Sequence, residues 1–206
     1  MAEVTIPGLI KTIEARAAGR ERILVAIAGA PGSGKTTLAG HLARHLGPSA
    51  AVLPMDGFHL DNARLAQMGL LHRKGAPETF DAAGFVALLR DVRERRCVSY
   101  PTFDRNADRT VPDAGQIDER HCMVLVEGNY LLLKTPPWHE LSDMFDVTVR
   151  PDVGAEVLEQ RLVARWLDQG LSRAEAVARA RGNDLPNAAH VIENSKPPEF
   201  LLRSVR

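Results

Sequence analysis

The sequence predicts an α/β protein of three layers, α/β/α, built on a mostly parallel five-stranded sheet. Two observations carry that expectation. Five short apolar runs, at residues 23–28, 51–55, 122–126, 145–149 and 200–205, are separated by stretches with helical spacing, and strands joined through helices form parallel sheets covered on both faces. Between the first run and the first long helical stretch stands Gly29-Ala30-Pro31-Gly32-Ser33-Gly34-Lys35-Thr36-Thr37, which matches G-x-x-x-x-G-K-[ST] in the strand–loop–helix context that this pattern requires.

Taken in order, residues 7–18 carry Leu9, Ile10, Ile13 and Ala17 on one face and predict a short amphipathic helix ahead of the first strand. Residues 38–46 continue the glycine-rich turn as a helix. Pro54 removes a ladder donor from the second strand and puts that strand at a sheet edge. Asp81 can cap a helix over 82–95 whose buried stripe is Phe85, Leu88, Leu89 and Val92. Pro101, Pro112 and Gly115 make residues 98–118 a loop or irregular hairpin. Asp152 is expected to open a helix that runs through Asp168 and ends at Gly170. Ser172-Arg173-Ala174-Glu175 is a capping box opening another, ended by Gly182, so that helices at about 153–183 form a lid.

Composition narrows the function. At 206 residues, 45% apolar and 25% charged, the chain suits one domain with an ample core. Lys plus Arg equals Asp plus Glu at 26 each, so no overall field draws nucleic acid or an anionic membrane. No apolar run approaches the roughly 20 residues of a membrane span, and Met1-Ala2-Glu3-Val4 lacks a basic secretory start, so a cytoplasmic location is expected. Cys97 and Cys122 have no C-x-x-C spacing and read as thiols.

The chemistry begins at residues 29–37. Glycines let the chain wrap a polyphosphate so that successive N–H groups and the following helix N-terminus point at the anion. Lys35 then reaches the β- and γ-phosphates and the Thr36 hydroxyl holds Mg²⁺. Gly29, Ala30, Pro31, Gly32, Ser33, Gly34, Lys35, Thr36 and Thr37 are therefore the expected nucleotide cradle, with ATP and Mg²⁺ as cofactors. In open parallel sheets ligands lie outside the carboxyl ends of the strands, which puts Asp56 and Glu127 on the same rim. Asp56 can accept the proton of an acceptor hydroxyl, although Asp56-Gly57 also reads as a turn. Glu127 ends the apolar strand Val124-Leu125-Val126 and can order Mg²⁺ or its water. Arg161 and Arg165, four apart on one helix face, suit a lid that closes on phosphate, or else a solvated face.

The order GAPGSGKTT, MDGFHLDNARL, GLLHRKGAPETFD, YPTFDRNADR, VLVEGNYLLL resembles the P-loop small-molecule kinases that include bacterial pantothenate kinase, uridine kinase and phosphoribulokinase. It is most similar to a bacterial group labelled putative fructose transport system kinases. The resemblance spans residues 23 to about 165 and implies a P-loop NTPase fold with a helical lid. It implies that Asp56 faces the acceptor hydroxyl, that Asp81 contacts acceptor hydroxyls unless it caps its helix, and that Arg161 and Arg165 are the lid's R-x-x-x-R. By the same resemblance Arg105 and Arg109 lie where the acceptor binds, His59, Arg64, Arg73 and Lys74 are further pocket candidates, and residues 184–187 fall at an adenine-contacting loop or a plain helix-to-strand turn. The sequence departs from the family where His59 replaces the uridine kinase aromatic and where the pantothenate pocket's C-terminal aromatics find no match.

The resulting expectation is an ATP-dependent kinase acting on a small-molecule alcohol: a sugar, a pantothenate-like compound or a nucleoside. Lys35, Asp56, Glu127, Arg161 and Arg165 carry the catalysis, and Thr36 with Glu127 holds the metal. No nucleic acid or membrane partner is expected, and a homodimer stays open. The alternative is a non-catalytic nucleotide-sensing module. A GTPase switch lacks its guanine-reading N-K-x-D, and Asp81-Ala82-Ala83-Gly84 matches D-x-x-G only at a helix start.

Overall fold

Alternating burial in the first long strand organises the molecule. In the computed structural model, which describes residues 1–203, β2 (Ile23–Ala28) sends Leu24, Ala26 and Ala28 to one face of the sheet and Ile23, Val25 and Ile27 to the other. The first face packs on α4 (Ala82–Glu94), which follows the short α3 (Asn62–Gln67), through Phe85, Leu89 and Val92, together with Tyr130 and Trp138. The second packs on α1 (Ile6–Ala17) through Leu9 and Ile13 and on α2 (Lys35–Leu46) through Leu38, Ala39 and Leu42. A strand covered on both sides must be apolar throughout, and all six β2 residues are buried.

With β6 at Met123–Gly128 and β7 at Val147–Asp152, the sheet has six parallel strands in the order β1-β8-β7-β2-β6-β3, one more than the sequence predicts. The addition is β1 (Ala2–Val4), which pairs with β8 (Phe200–Arg203); Thr5 then caps α1 by accepting from Gly8 N at 3.2 Å. The last expected strand reaches Arg203, and its residues 204 and 205 lie outside the described residues. β3 (Ala50–Pro54) forms the far edge, where Pro54 pairs with β6 on one side and no strand on the other asks for the N–H it lacks. Beside it the expected loop or irregular hairpin is an antiparallel pair, β4 (Val98–Asp104) and β5 (Arg109–Ile117), whose register shifts between Tyr100 and Thr102, docked on the β3 edge by Tyr100 Oη donating to Val52 O at 2.9 Å.

The lid departs from the sequence reading at both ends. Asp152 does not open the helix, because β7 (Val147–Asp152) runs on to it and α5 (Ala155–Asp168) starts behind Gly154. Ser172 and Glu175 do form the capping box of α6 (Arg173–Arg179). Gly182 ends nothing: α6 passes through a π-helical turn, Ala180–Asp184, into α7 (Leu185–Asn194), so residues 184–187 are helix and not a loop. Pro186 fits because it occupies the first turn of α7.

The opposite end of the sheet is fastened by one side chain. Arg22, just before β2, donates to five carbonyls: His121 O at 2.9 Å, Val92 O and Arg95 O at 2.7 Å, Arg96 O at 3.2 Å and Asp118 O at 2.8 Å. These tie the end of α4 to the segment entering β6 (Met123–Gly128). Arg22→Leu keeps the aliphatic stem and strands those acceptors. It should lower the free energy of unfolding in urea by about 2–4 kcal/mol.

Candidate active site

Strand register builds the catalytic rim. β6 lies between β2 and β3, with Ile27 opposite Glu127 on one side and Pro54 opposite Glu127 on the other. The chain leaves β2 into residues 29–34 and leaves β3 into a 3₁₀ turn, Met55–Phe58, so both exits flank Glu127. In the first exit Gly32 and Gly34 have φ of +80° and +87°, the left-handed region that side chains resist. Gly34 caps α2 without any side-chain acceptor, leaving the first amides of that helix free for an anion. In the second exit the hairpin crosses so closely that a Cβ on Gly57 would lie 1.9 Å from Pro101 O.

These groups share one cleft of about 720 Å³. Pro31, Gly32, Gly34, Lys35, Thr36 and Thr37 line its nucleotide end, and Asp56, His59 and Arg105 lead into the other. Thr36 Oγ1 donates to Glu127 Oε1 at 3.1 Å, and Glu127 is 4% exposed. Burial raises the Glu127 carboxyl above its ordinary value while Lys35 pulls it down. Burial likewise lowers the Lys35 ammonium against the pull of Glu127 and Asp56. Neither charge is fully compensated by its neighbours, a state suited to a site completed by phosphate and a hard cation.

No protein-family model matches the chain. It is 37% identical to the uncharacterized protein YggC of Escherichia coli over 188 residues, 89% of this chain and 78% of that protein. It is 32% identical to a putative uridine kinase of Schizosaccharomyces pombe, over 91% of this chain and 85% of the other. The solved structure of a putative fructose transport system kinase from Silicibacter sp. TM1040 superposes with a TM-score of 0.92 at 45% identity, covering 96% of this chain and 98% of that one. The chain belongs to the P-loop small-molecule kinases.

Helix α5 packs directly on the glycine-rich loop. Leu158 packs with Ala30, the Leu162 side chain lies 3.2 Å from where a Cβ on Gly32 would stand, and Arg161 Nη1 donates to Gly32 O at 3.3 Å. Arg161 therefore touches the outside of the loop, whereas Arg165 lines the cleft. Arg165 is aimed by Asp184, which accepts from its Nη2 at 3.1 Å and from Trp166 Nε1 at 2.5 Å. The Trp166 ring is held between the guanidinium groups of Arg165 and Arg179, at 5.0 and 5.3 Å. Trp166, which the helical spacing places in the apolar line of α5, is thus a cleft residue; Arg179 and Asn129 also line the cleft and carry no motif that would single them out.

Two expected substrate residues stand apart. Asp81 caps α4, accepting from Gly84 N at 3.0 Å, and does not line the cleft; the helix-cap reading is the correct one. Arg109 is exposed at the start of β5 and does not line the cleft. Arg64 and Arg73 are likewise outside the main cleft. His59 and Lys74 are inside it.

The His59 ring stacks on Phe80 at 4.0 Å and lies 4.8 Å from Phe103, and its enclosed Nδ1 has no partner among the described residues. Burial pushes its pKa down to about 4, with Asp56 opposing. The unfolded chain takes up this proton at about pH 6.5 and the folded one does not, so the contribution is whole above that pH and lost as pH falls towards 4. Urea unfolding at pH 7 and at pH 4 should show wild type losing roughly 3 kcal/mol more than His59→Gln.

Proposed function

We propose that the protein is an ATP-dependent kinase that transfers the γ-phosphate to a hydroxyl of a small molecule. The observation that carries this reading is the position of Asp56. It lines the same cleft as Lys35, Thr36 and Glu127, and that cleft also carries His59, Phe80, Phe103 and Asn129, walls beyond those of a phosphate cradle. A module that only senses nucleotide has no need of a carboxylate and further walls there.

In this mechanism the amides of residues 29–37 and Lys35 hold the β- and γ-phosphates, and Thr36 with Glu127 would hold Mg²⁺, which supplies neutralising charge to the phosphates when bound. Asp56 orients the acceptor hydroxyl in line and takes its proton late, because phosphoryl transfer passes through a loose transition state. Arg165, steadied by Asp184, adds positive charge from the lid side. Helices α5 and α6 exclude water, which competes with the alcohol.

Lys35→Ala should abolish turnover while leaving the melting temperature near that of wild type, since the side chain serves the phosphates and not the core. Asp56→Asn should lower kcat for transfer by about 10² to 10⁴ with ATP still bound, and should lower acceptor-free ATP hydrolysis much less, because water is poorly positioned in either protein. Equal small losses in both rates would remove Asp56 from the role of base. An ADP-release assay over pantothenate, nucleosides, fructose and other sugars tests the kinase reading itself; a protein that binds ATP and phosphorylates no alcohol would be the sensing module.

A further inference from the structure

The carboxylate best placed to take the acceptor's proton already has a partner. Arg105 Nη2 forms an ion pair with Asp56 Oδ2. Arg105 belongs to the turn between β4 and β5, and that turn is built, not loose. Asp104 Oδ1 accepts from Asn106 N and Ala107 N, both at 3.0 Å. Asp108, at φ +48°, accepts from Asn62 Nδ2 at 2.8 Å and from Lys74 Nζ at 2.7 Å to Oδ1 and 3.2 Å to its backbone oxygen. Lys74 also donates to Asn62 Oδ1 at 2.7 Å, lies 5.1 Å from the Phe103 ring centroid, and is only 11% exposed. The three donors of its ammonium are thereby occupied. Lys74 and Asn62 act as a latch that fixes the turn and delivers Arg105 into the cleft.

Charge balance then discriminates among acceptors. At this end of the cleft each carboxylate has one cation: Lys74 on Asp108, and Arg105 on Asp56. The first pair serves the latch, and the second must open for Asp56 to receive a hydroxyl. A neutral alcohol entering at Asp56 separates the pair and offers the guanidinium nothing in return. A cationic acceptor meets Arg105 and Lys74 at once. An acceptor bearing a carboxylate or phosphate gives Arg105 a new bidentate partner as its hydroxyl replaces the guanidinium at Asp56, so the cation stays paired through the exchange while Asp56 is freed to accept the hydroxyl's hydrogen bond. The lining of the same cleft also carries His59 Nδ1 and Asn129 Oδ1, both enclosed and unpartnered among the described residues, which can meet additional hydroxyls.

We propose that the acceptor is an anionic hydroxy compound, whose carboxylate or phosphate group is bound by Arg105 on the latched turn while its hydroxyl lies at Asp56. This rests on the kinase reading above and assigns its substrate class. Arg105 is then the residue that sets specificity, and Asp108 positions it.

The experiment uses the full chain with Mg–ATP and matched sets that share a carbon skeleton: glycerol, glycerate and glycerol 3-phosphate; glucose, gluconate and glucose 6-phosphate. ADP release gives turnover, and the melting temperature with Mg and a non-hydrolysable ATP analogue gives binding. The expected result is a kcat/KM at least tenfold higher for the anionic members than for the neutral one, with the carboxylate and phosphate arms naming the preferred anion. Arg105→Ala should raise KM for the anionic acceptor by 10- to 100-fold with a smaller loss in kcat, and should shrink the anionic-over-neutral ratio to within threefold; Arg105→Lys should restore part of it. Asp108→Asn should move KM in the same direction by less. Turnover of neutral members equal to or better than the anionic ones overturns the proposal and leaves the kinase standing, as does a ratio unchanged in Arg105→Ala. Anionic members that raise the melting temperature of wild type but not of Arg105→Ala, yet are never phosphorylated, would support the anion site and overturn the kinase reading.

Discussion

Everything at the catalytic rim depends on the register of β6 between its two neighbours. Because Glu127 is opposite Ile27 in β2 and Pro54 in β3, the exits of those strands begin within one residue of the same level. Parallel pairing makes all three chains leave in the same direction, and burial of both sheet faces leaves that rim as the place where polar groups can meet solvent and ligand. A slip of one residue in β6 would exchange Glu127 for an apolar neighbour and turn it into the core. The apolar runs that make the sheet are therefore also what aims the carboxylates.

The lid depends on the rim in turn. Leu158 and Leu162 seat α5 on Ala30 and Gly32, so the backbone that would cradle phosphate is also a packing surface for the helix above it. The π-helical turn at Ala180–Asp184 brings Asp184 under Arg165 and Trp166, and Asn183 of the same turn donates to Lys74 O at 3.0 Å. One local widening of a helix thus touches the lid cation on one side and the latch segment on the other. Such π-helical turns are rare and are found frequently at functional sites.

Much of this was legible in the sequence because it is local. Residues 23–37 carry strand, turn and helix signals in an order that admits one reading, and Pro54 marks its edge strand by what it lacks. What was not legible is set by partners distant in the chain. Ala2–Val4 has too few residues for any periodicity and becomes a strand through β8, almost 200 residues away. Gly182 looks like a stop, yet the contacts of Asn183 and Asp184 keep the helix going and its freedom goes unused. Asp81 and Arg109 lie in segments that the resemblance points to, yet Asp81 is engaged at the start of its own helix and neither residue lines the cleft. Trp166 has helical spacing for the core, but its indole N–H requires an acceptor, and Asp184 supplies it beside the cleft.

The two fastenings of the β4–β5 region differ in kind. At its far end Arg22 binds five carbonyl oxygens, which never titrate and carry no net charge for dissolved ions to screen. At its near end the hairpin turn is held by Lys74 on Asp108 and Arg105 on Asp56, ion pairs that mobile salt weakens according to their exposure. The hairpin is thus anchored like a door, with a hinge side indifferent to ionic strength and a latch side that responds to it. Raising the ionic strength would then loosen the turn end of the hairpin before the Arg22 end.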